Sequence, residues 1–274
     1  APEQAANETT TCLGVIAAWH KYHDRQQAGT RDYRRTSDPA VASKAAALLD
    51  EARGGTLAER EAKRVLAAYG VPVVEERLVP SEDEAVAVAE AAGYPVVLKV
   101  ESPDLPHKTE AGVVKLNLRD AAAVRAAYQL VMANAHKVSP PPRITGVLVQ
   151  PMIPPGVEIM VGARVDPQLG PLVVVGLGGI MVELLKDTSL ELAPVTPAEA
   201  RTMLLRLKGA RLLTGFRGSA PVDLDRLADI VCRLSELAAD QAGRIAELDV
   251  NPLICAGDRI VAVDALIALR QTSH

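Results

Sequence analysis

The chain has 274 residues and a formal charge of −4, which excludes the broad basic field that nucleic-acid or anionic-membrane binding requires. Its balance of 49% hydrophobic and 23% charged residues is that of an ordered globular protein, and with aromatics at only 3% the core must be built from Ala, Val, Leu and Ile. Cys12, Cys232 and Cys255 are far apart without CxxC spacing, which points to reduced structural thiols in a cytoplasmic protein. The longest apolar run, residues 172–182, contains Gly176, Gly178 and Gly179 and is too short to span a bilayer. No secretory signal is visible. Ala1 in the place of an initiator methionine suggests a processed protein or a piece of a longer chain.

Taken in order, residues 1–48 read as an N-terminal extension or the tail of a preceding domain. Within them 13–22 suit a short helix, 31–39 are charged and turn-rich, and Arg31, Arg34 and Arg35 read as a solvated face. Regular patterning begins at Val41, with an amphipathic stretch to Arg53 ended by Gly54 and Gly55. Thr56 with Glu59 reads as a capping box opening a helix that closes at Gly70. Residues 71–79 alternate as a strand does, and Ser81 with Glu84 opens a second helix that stops at Gly93. Residues 95–100 form a β-rich apolar run. After a loop carrying His107 and Lys108 come a strand at 113–118, a helix over 120–136 and a break at the prolines 140–142. Beyond it, strands are expected at 144–152, 157–165 and 172–175, a turn at 166–170, a helix capped by Thr196 and Glu199, and a longer helix over 222–240. Two final strands, 244–250 and 259–265, are joined by a turn at 256–258. Irregular alternation with frequent hairpins implies an α+β protein of two lobes, 49–146 and 147–274, rather than a doubly wound parallel sheet.

Four features converge on a nucleotide triphosphate and its metal. Lys99 lies inside an apolar strand, where a lysine is expensive unless something anionic meets it. The glycines of 176–179 free a backbone to approach phosphates and aim N–H groups at them. Glu158 follows Gln150, Pro151 and Met152 closely enough for the two segments to hold ribose and adenine at the seam. Glu247, Asn251 and Asp264, on adjacent strands, are hard oxygen donors suited to Mg²⁺. Each feature also has a plainer reading: a lysine snorkelling to water, a β-bulge at the glycines, a strand-ending turn at Asn251-Pro252, surface carboxylates. The spacing of GLGG does not match GxGxxG, which rejects a dinucleotide fingerprint.

The ordered segments VVLKV, PHKTEAGVV, GVLVQPM, GVEIMVGARVDPQLGP, GLGGIMVELLKD, LAPV, ELDVNPL and VAVDAL are similar to the ATP-grasp portion of the NDP-forming acyl-CoA synthetases. That family includes the ADP-forming acetyl-CoA synthetases and is related to the β subunit of succinyl-CoA synthetase. The resemblance spans about residues 57–269 and implies an ATP-grasp fold, two α/β lobes gripping ATP. By motif, Lys99 resembles the phosphate-binding lysine. Val149, Gln150, Pro151 and Met152 resemble the adenine hinge, and Glu158 the ribose-side carboxylate. Asn251 and Asp264, with Glu247 nearby, resemble the Mg²⁺ ligands. His107 matches a histidine that accepts a phosphoryl group during relay between sites. Val113 and Leu169 stand where the family usually has Gly and Phe. The implied reaction joins an acid to CoA as ATP becomes ADP and phosphate, with CoA-binding and ligase domains as partners that handle the acid and CoA. Two other classes stand beside this one, an ATP-grasp ligase joining a carboxylate to an amine and a nucleotide-binding regulatory module without turnover.

Overall fold

Alternating apolar residues give each of two antiparallel sheets one face that must be covered, and helices cover both. The computed structural model describes residues 34–52, 54–105, 108–179, 187–216 and 220–270. The smaller sheet contains β1 (Arg77–Val79), β2 (Val96–Glu101), β3 (Val114–Leu118) and β4 (Gly146–Pro151), in the order β1-β4-β2-β3. Val96, Leu98 and Val100 of β2 join Val147 and Val149 of β4 in a core under α3 (Glu82–Ala92) and α4 (Ala121–Ala135). Period two then sends Lys99, Glu101 and Gln150 to the opposite face.

The larger sheet contains β5 (Val157–Asp166), β6 (Gly170–Leu177), β7 (Thr188–Leu192), β8 (Ile245–Ala256), β9 (Arg259–Ala262) and β10 (Ala265–Leu269). Its order is β10-β8-β5-β6-β7, with β9 paired to β8. Ile159, Val161, Leu248, Val250 and Leu253 fill its covered face. Four helices lie in the same core: α1 (Val41–Asp50), α2 (Glu59–Ala68), α5 (Pro197–Leu205) and α6 (Leu224–Asp240). Among the described residues no helix is long and apolar enough to cross a membrane.

The two-lobed α+β architecture agrees with the sequence, and so do most elements. Ser81 accepts from the Glu84 amide at 3.3 Å, and Thr196 with Glu199 forms a complete capping box with Pro197 in the first turn. The expected box at Thr56 does not form. Ala58 is the N-cap of α2, its amide donates to Glu61 Oε2 at 3.2 Å, and Glu59 turns elsewhere. α1 and α2 belong with the larger core instead of with the first lobe, because Ala45, Leu49, Ala62, Val65 and Leu66 present apolar faces to it. Residues 71–76 are a crossover rather than a strand: Val71 sits in the larger core and Val79 in the smaller one. The return crossing follows β4, so the chain changes sheets after Pro151, later than residue 147. β7 was not anticipated. β8 runs through Asn251 and Pro252 to Ala256, so that pair does not end the strand.

Arg35 is not a solvated residue. Its guanidinium forms a bidentate pair with Asp240 at 2.9 and 2.6 Å, and Tyr69 donates to the same carboxylate at 2.7 Å. Beside it, buried Glu236 accepts from the amides of Thr36 and Ser37 at 2.6 and 2.9 Å and from the Ser37 hydroxyl. Residues 35–37 are thereby strapped to the C-terminal half of α6. Arg35→Ala should cost about 1.5–3 kcal/mol in urea unfolding, the scale of hydrogen bonds to charged groups. An unchanged unfolding midpoint would mean that the strap contributes nothing to the fold.

Candidate functional site

The polar face of the smaller sheet turns toward the N-terminus of α2 and the edge of the larger sheet. There the side chain of Glu59, with 0% exposure, gathers three lysines. Its Oε1 accepts from Lys63 and Lys99, each at 2.7 Å, and its Oε2 accepts from Lys108. Lys63 also reaches Glu76 at 2.6 Å and Gln150 Oε1 at 3.4 Å. Lys99 donates to the Val263 carbonyl at 2.8 Å and lies 3.7 Å from Asp264 Oδ2. Buried charges persist only when paired and hydrogen-bonded, and here each lysine meets a carboxylate.

The electrostatics follow from that packing. Burial alone would push the Glu59 carboxyl up, but Lys99, Lys63 and Lys108 outweigh it and hold the group well below the carboxylate range. Burial would likewise lower Lys99, yet Glu59 and Asp264 raise it, so it remains an ammonium ion. Glu101 stands differently. Burial drives its carboxyl up to about 7, against a partial opposing pull from Lys108. Its Oε1 takes only the Arg60 amide, at 3.3 Å, and among the described residues its Oε2 has no hydrogen-bond partner.

Next to this cluster opens a cavity of about 550 Å³, whose lining includes Glu59, Lys108, Glu247, Asp249, Asn251 and Asp264. Glu247, Asp249 and Asn251 alternate along β8 with core residues Leu248 and Val250, so all three face the cavity. Burial, then Glu247 and Asp264, raise Asp249 to about 6. Burial also raises Asp264, against the pull of Lys99. Oxygen donors gathered on one cavity wall suit a divalent metal. Among the described residues no three Asp, Glu, His or Cys side chains form a metal cage on their own. Mg²⁺ does not need one: it is held by one or two carboxylates, waters and substrate phosphates.

The structure therefore places Glu247, Asn251 and Asp264 in the cavity lining, with Lys99 behind it on Glu59 and Gln150 one contact further back, on Lys63. His107 lies outside the described residues. Val149 points its side chain into the core under α3 and α4, so only its main chain could serve a hinge. Pro151 ends β4, and the Met152 amide donates to the Pro95 carbonyl at 2.9 Å. Glu158 is exposed on β5, farther along the same sheet face. A Cβ on Gly178 would stand 2.8 Å from Glu158 Cβ, and one on Gly179 2.8 Å from Glu158 Oε2. These two glycines thus let the chain fold closely around Glu158. Gly176 instead lies within β6, opposite Met160 and Thr188, where no side chain would fit without displacing its neighbours.

Sequence reasoning missed Glu59, Lys63, Glu76, Glu101 and Asp249, and gave Lys108 no role beyond its place in the loop. Period two could have found Glu101, two residues from Lys99, and Asp249, midway between Glu247 and Asn251. Nothing in the sequence separates Glu59 and Lys63 from an ordinary surface pair at helical spacing.

An ATP-grasp domain profile matches residues 48–269. The chain is 41% identical over 229 residues to the acetate–CoA ligase [ADP-forming] I subunit beta of Pyrococcus furiosus, covering 83% of this chain and 98% of that one. It is similar to acetyl-coenzyme A synthetase 1 of Ca. Korarchaeum cryptofilum in complex with coenzyme A, Ca-AMPCP and HgCl+, with TM-score 0.79 and 42% identity over 84% of this chain and all of the other. A second structure of that protein, with coenzyme A and Mg-AMPPCP, has its phosphohistidine segment pointing towards the nucleotide binding site. It matches at TM-score 0.71 and 40% identity, again over 84% and 100% of the two chains.

Glu101 makes a stability test. Its folded pKa is raised, so its contribution is full below the unfolded value near 4.3 and is lost as pH rises through about 7. Glu101→Gln removes that loss. Its stability relative to wild type should grow by about 2 kcal/mol between pH 5.5 and pH 8.5, read by urea unfolding at each pH. A gap that stays constant with pH would show that Glu101 does not titrate in this range.

Proposed function

As a member of the ATP-grasp family of the ADP-forming acyl-CoA synthetases, the chain is the ATP-grasp component of an acid–CoA ligase, and we propose that its cleft binds Mg-ATP or Mg-ADP through the residues named above. The observation that carries this reading is a cavity lined by both signs of charge. Lys108 comes to it from the loop after β2, with Lys99 behind it on Glu59, while Glu247, Asp249 and Asn251 come from β8 and Asp264 from between β9 and β10. The cations suit phosphate oxygens, and the oxygen donors suit the metal that phosphates bring with them.

Lys99 and Lys108 meet the phosphates. Asp264 and Asn251, with Glu247, hold Mg²⁺, which when bound neutralises charge on the phosphate oxygens. The main chain at 149–152 and the Gln150 side chain border adenine, and Glu158, fixed by Gly178 and Gly179, serves the ribose. Phosphoryl transfer needs mainly positioning and charge neutralisation, and these residues supply both. The phosphoryl group moves between the nucleotide and a ring nitrogen of His107. A neutral imidazole is a nucleophile able to accept a phosphoryl group. CoA-binding and ligase domains, fused or as a separate subunit, supply acid and CoA and complete the thioester. A cytoplasmic setting suits the free, buried Cys232 and Cys255.

Mg-ADP at about 100 times its dissociation constant should stabilise the chain by about 2.7 kcal/mol. Lys99→Ala should remove most of that gain without unfolding the protein, since Lys63 and Lys108 still neutralise Glu59. Wild-type affinity of this variant in calorimetry would refute the phosphate role of Lys99.

His107→Ala should abolish labelling of the chain by γ-phosphate-labelled ATP and end thioester formation with the partner domains present, while nucleotide affinity stays within about threefold of wild type. Wild-type thioester formation by this variant would end the relay role of His107.

A further inference from the structure

We propose that Glu59 is a positioning residue for phosphoryl transfer, holding Lys108 at the wall of the cavity and Lys99 behind it. The proposal rests on the nucleotide reading above and adds a residue that touches neither phosphate nor metal there. Lys99 comes from β2 of the smaller sheet and Lys108 from the loop beyond it, whereas Glu59 opens a helix packed in the larger core. One carboxylate therefore fixes two cations of one sheet against the body of the other. Its place at the first residue of α2 adds the attraction between a carboxylate and a helix N-terminus. The nearest alternative counter-ion for Lys99, Asp264, stands 3.7 Å away against 2.7 Å for Glu59, and it faces the cavity with Asn251 and Glu247.

With Glu59 neutral, Lys99 would face the charges of Lys63 and Lys108 with, among the described residues, Asp264 at 3.7 Å and the Val263 carbonyl beside it. Glu76 is farther off and paired to Lys63, and Glu101 has its carboxyl raised to about 7. The Lys99 Nζ then loses the partner that aims it, and phosphate arriving at the cleft would have to reorient the lysine. Displacement by about an ångström near reacting atoms can cost on the order of a hundredfold in rate.

The test uses the full chain. With the partner domains present and ATP saturating, Glu59→Gln should slow phosphoryl labelling at least about tenfold, with its urea midpoint recorded alongside. Labelling within twofold of wild type overturns the proposal, while failure of wild type to bind Mg-ADP in calorimetry overturns the nucleotide reading instead. Should Glu59→Gln not fold, Glu59→Asp keeps the charge but withdraws the oxygens by one methylene. With the partner domains present it should slow phosphoryl labelling at least about tenfold while holding Mg-ADP affinity within about threefold, and a labelling rate within twofold of wild type overturns the proposal.

Discussion

The contact of one buried carboxylate with three lysines is the constraint on which the rest of the structure depends. Lys63, Lys99 and Lys108 are 2%, 5% and 9% exposed, a degree of burial that lysine does not tolerate without an anion. Glu59 supplies that anion to all three, and Glu76 takes a second bond from Lys63. The three lysines come from α2, from β2 and from the loop after β2, so satisfying them fixes where the two sheets stand. A buried ion pair is weak evidence for stability by itself. Its meaning here is geometric, because an apolar cluster of the same volume would not specify which atoms point into the cleft.

Around that contact, each sheet divides its labour between faces. The apolar faces carry the stability: Leu98, Val147 and Val149 under two helices on one side, Ile159, Val161 and Leu248 under four on the other. The polar faces are left to meet, cations from β2 and its loop against carboxylates from β8 and Asp264. A phosphate–metal complex carries both signs of charge, and on the proposed function the cleft would meet both with groups already in place. Such groups need no reorganisation when charge shifts during transfer, which is the form of catalysis that phosphoryl transfer calls for.

That logic explains what the sequence discloses. The strand of Lys99 was legible as a β-rich apolar run, because it is buried on both faces, ELDVNPL was legible from its alternation, and helix starts with Ser81 and Thr196 were legible from their caps. Lys99 stood out because a lysine inside an apolar strand violates local expectation. Glu59 did not, because a carboxylate in the first turn of a helix is what the helix dipole favours. Whether it looks out to water or in to three lysines is decided by residues 40 and 49 positions away. The allotment of α1 and α2 to the larger core was hidden for the same reason: amphipathic helices declare an apolar face but not the sheet that it meets. The continuation of β8 past Asn251-Pro252 was hidden because proline marks turns far more often than strand interiors.

The two crossings between the sheets bear on how the cleft can move. Residues 71–76 and the stretch after Pro151 both contain proline, Pro72 in the first and Pro154 and Pro155 in the second, and each such residue has a fixed φ. The first crossing is also bonded to the larger sheet, with the Val74 amide donating to Ala262 and the Ala262 amide to Pro72, each at 2.9 Å. Lys99 adds a bond to Val263, next to Ala262 in the chain, and one to Glu59. Both bonds of Lys99 therefore tie β2 to the larger core, and the carboxylate that places the lysine is also one of the contacts that hold the two sheets together.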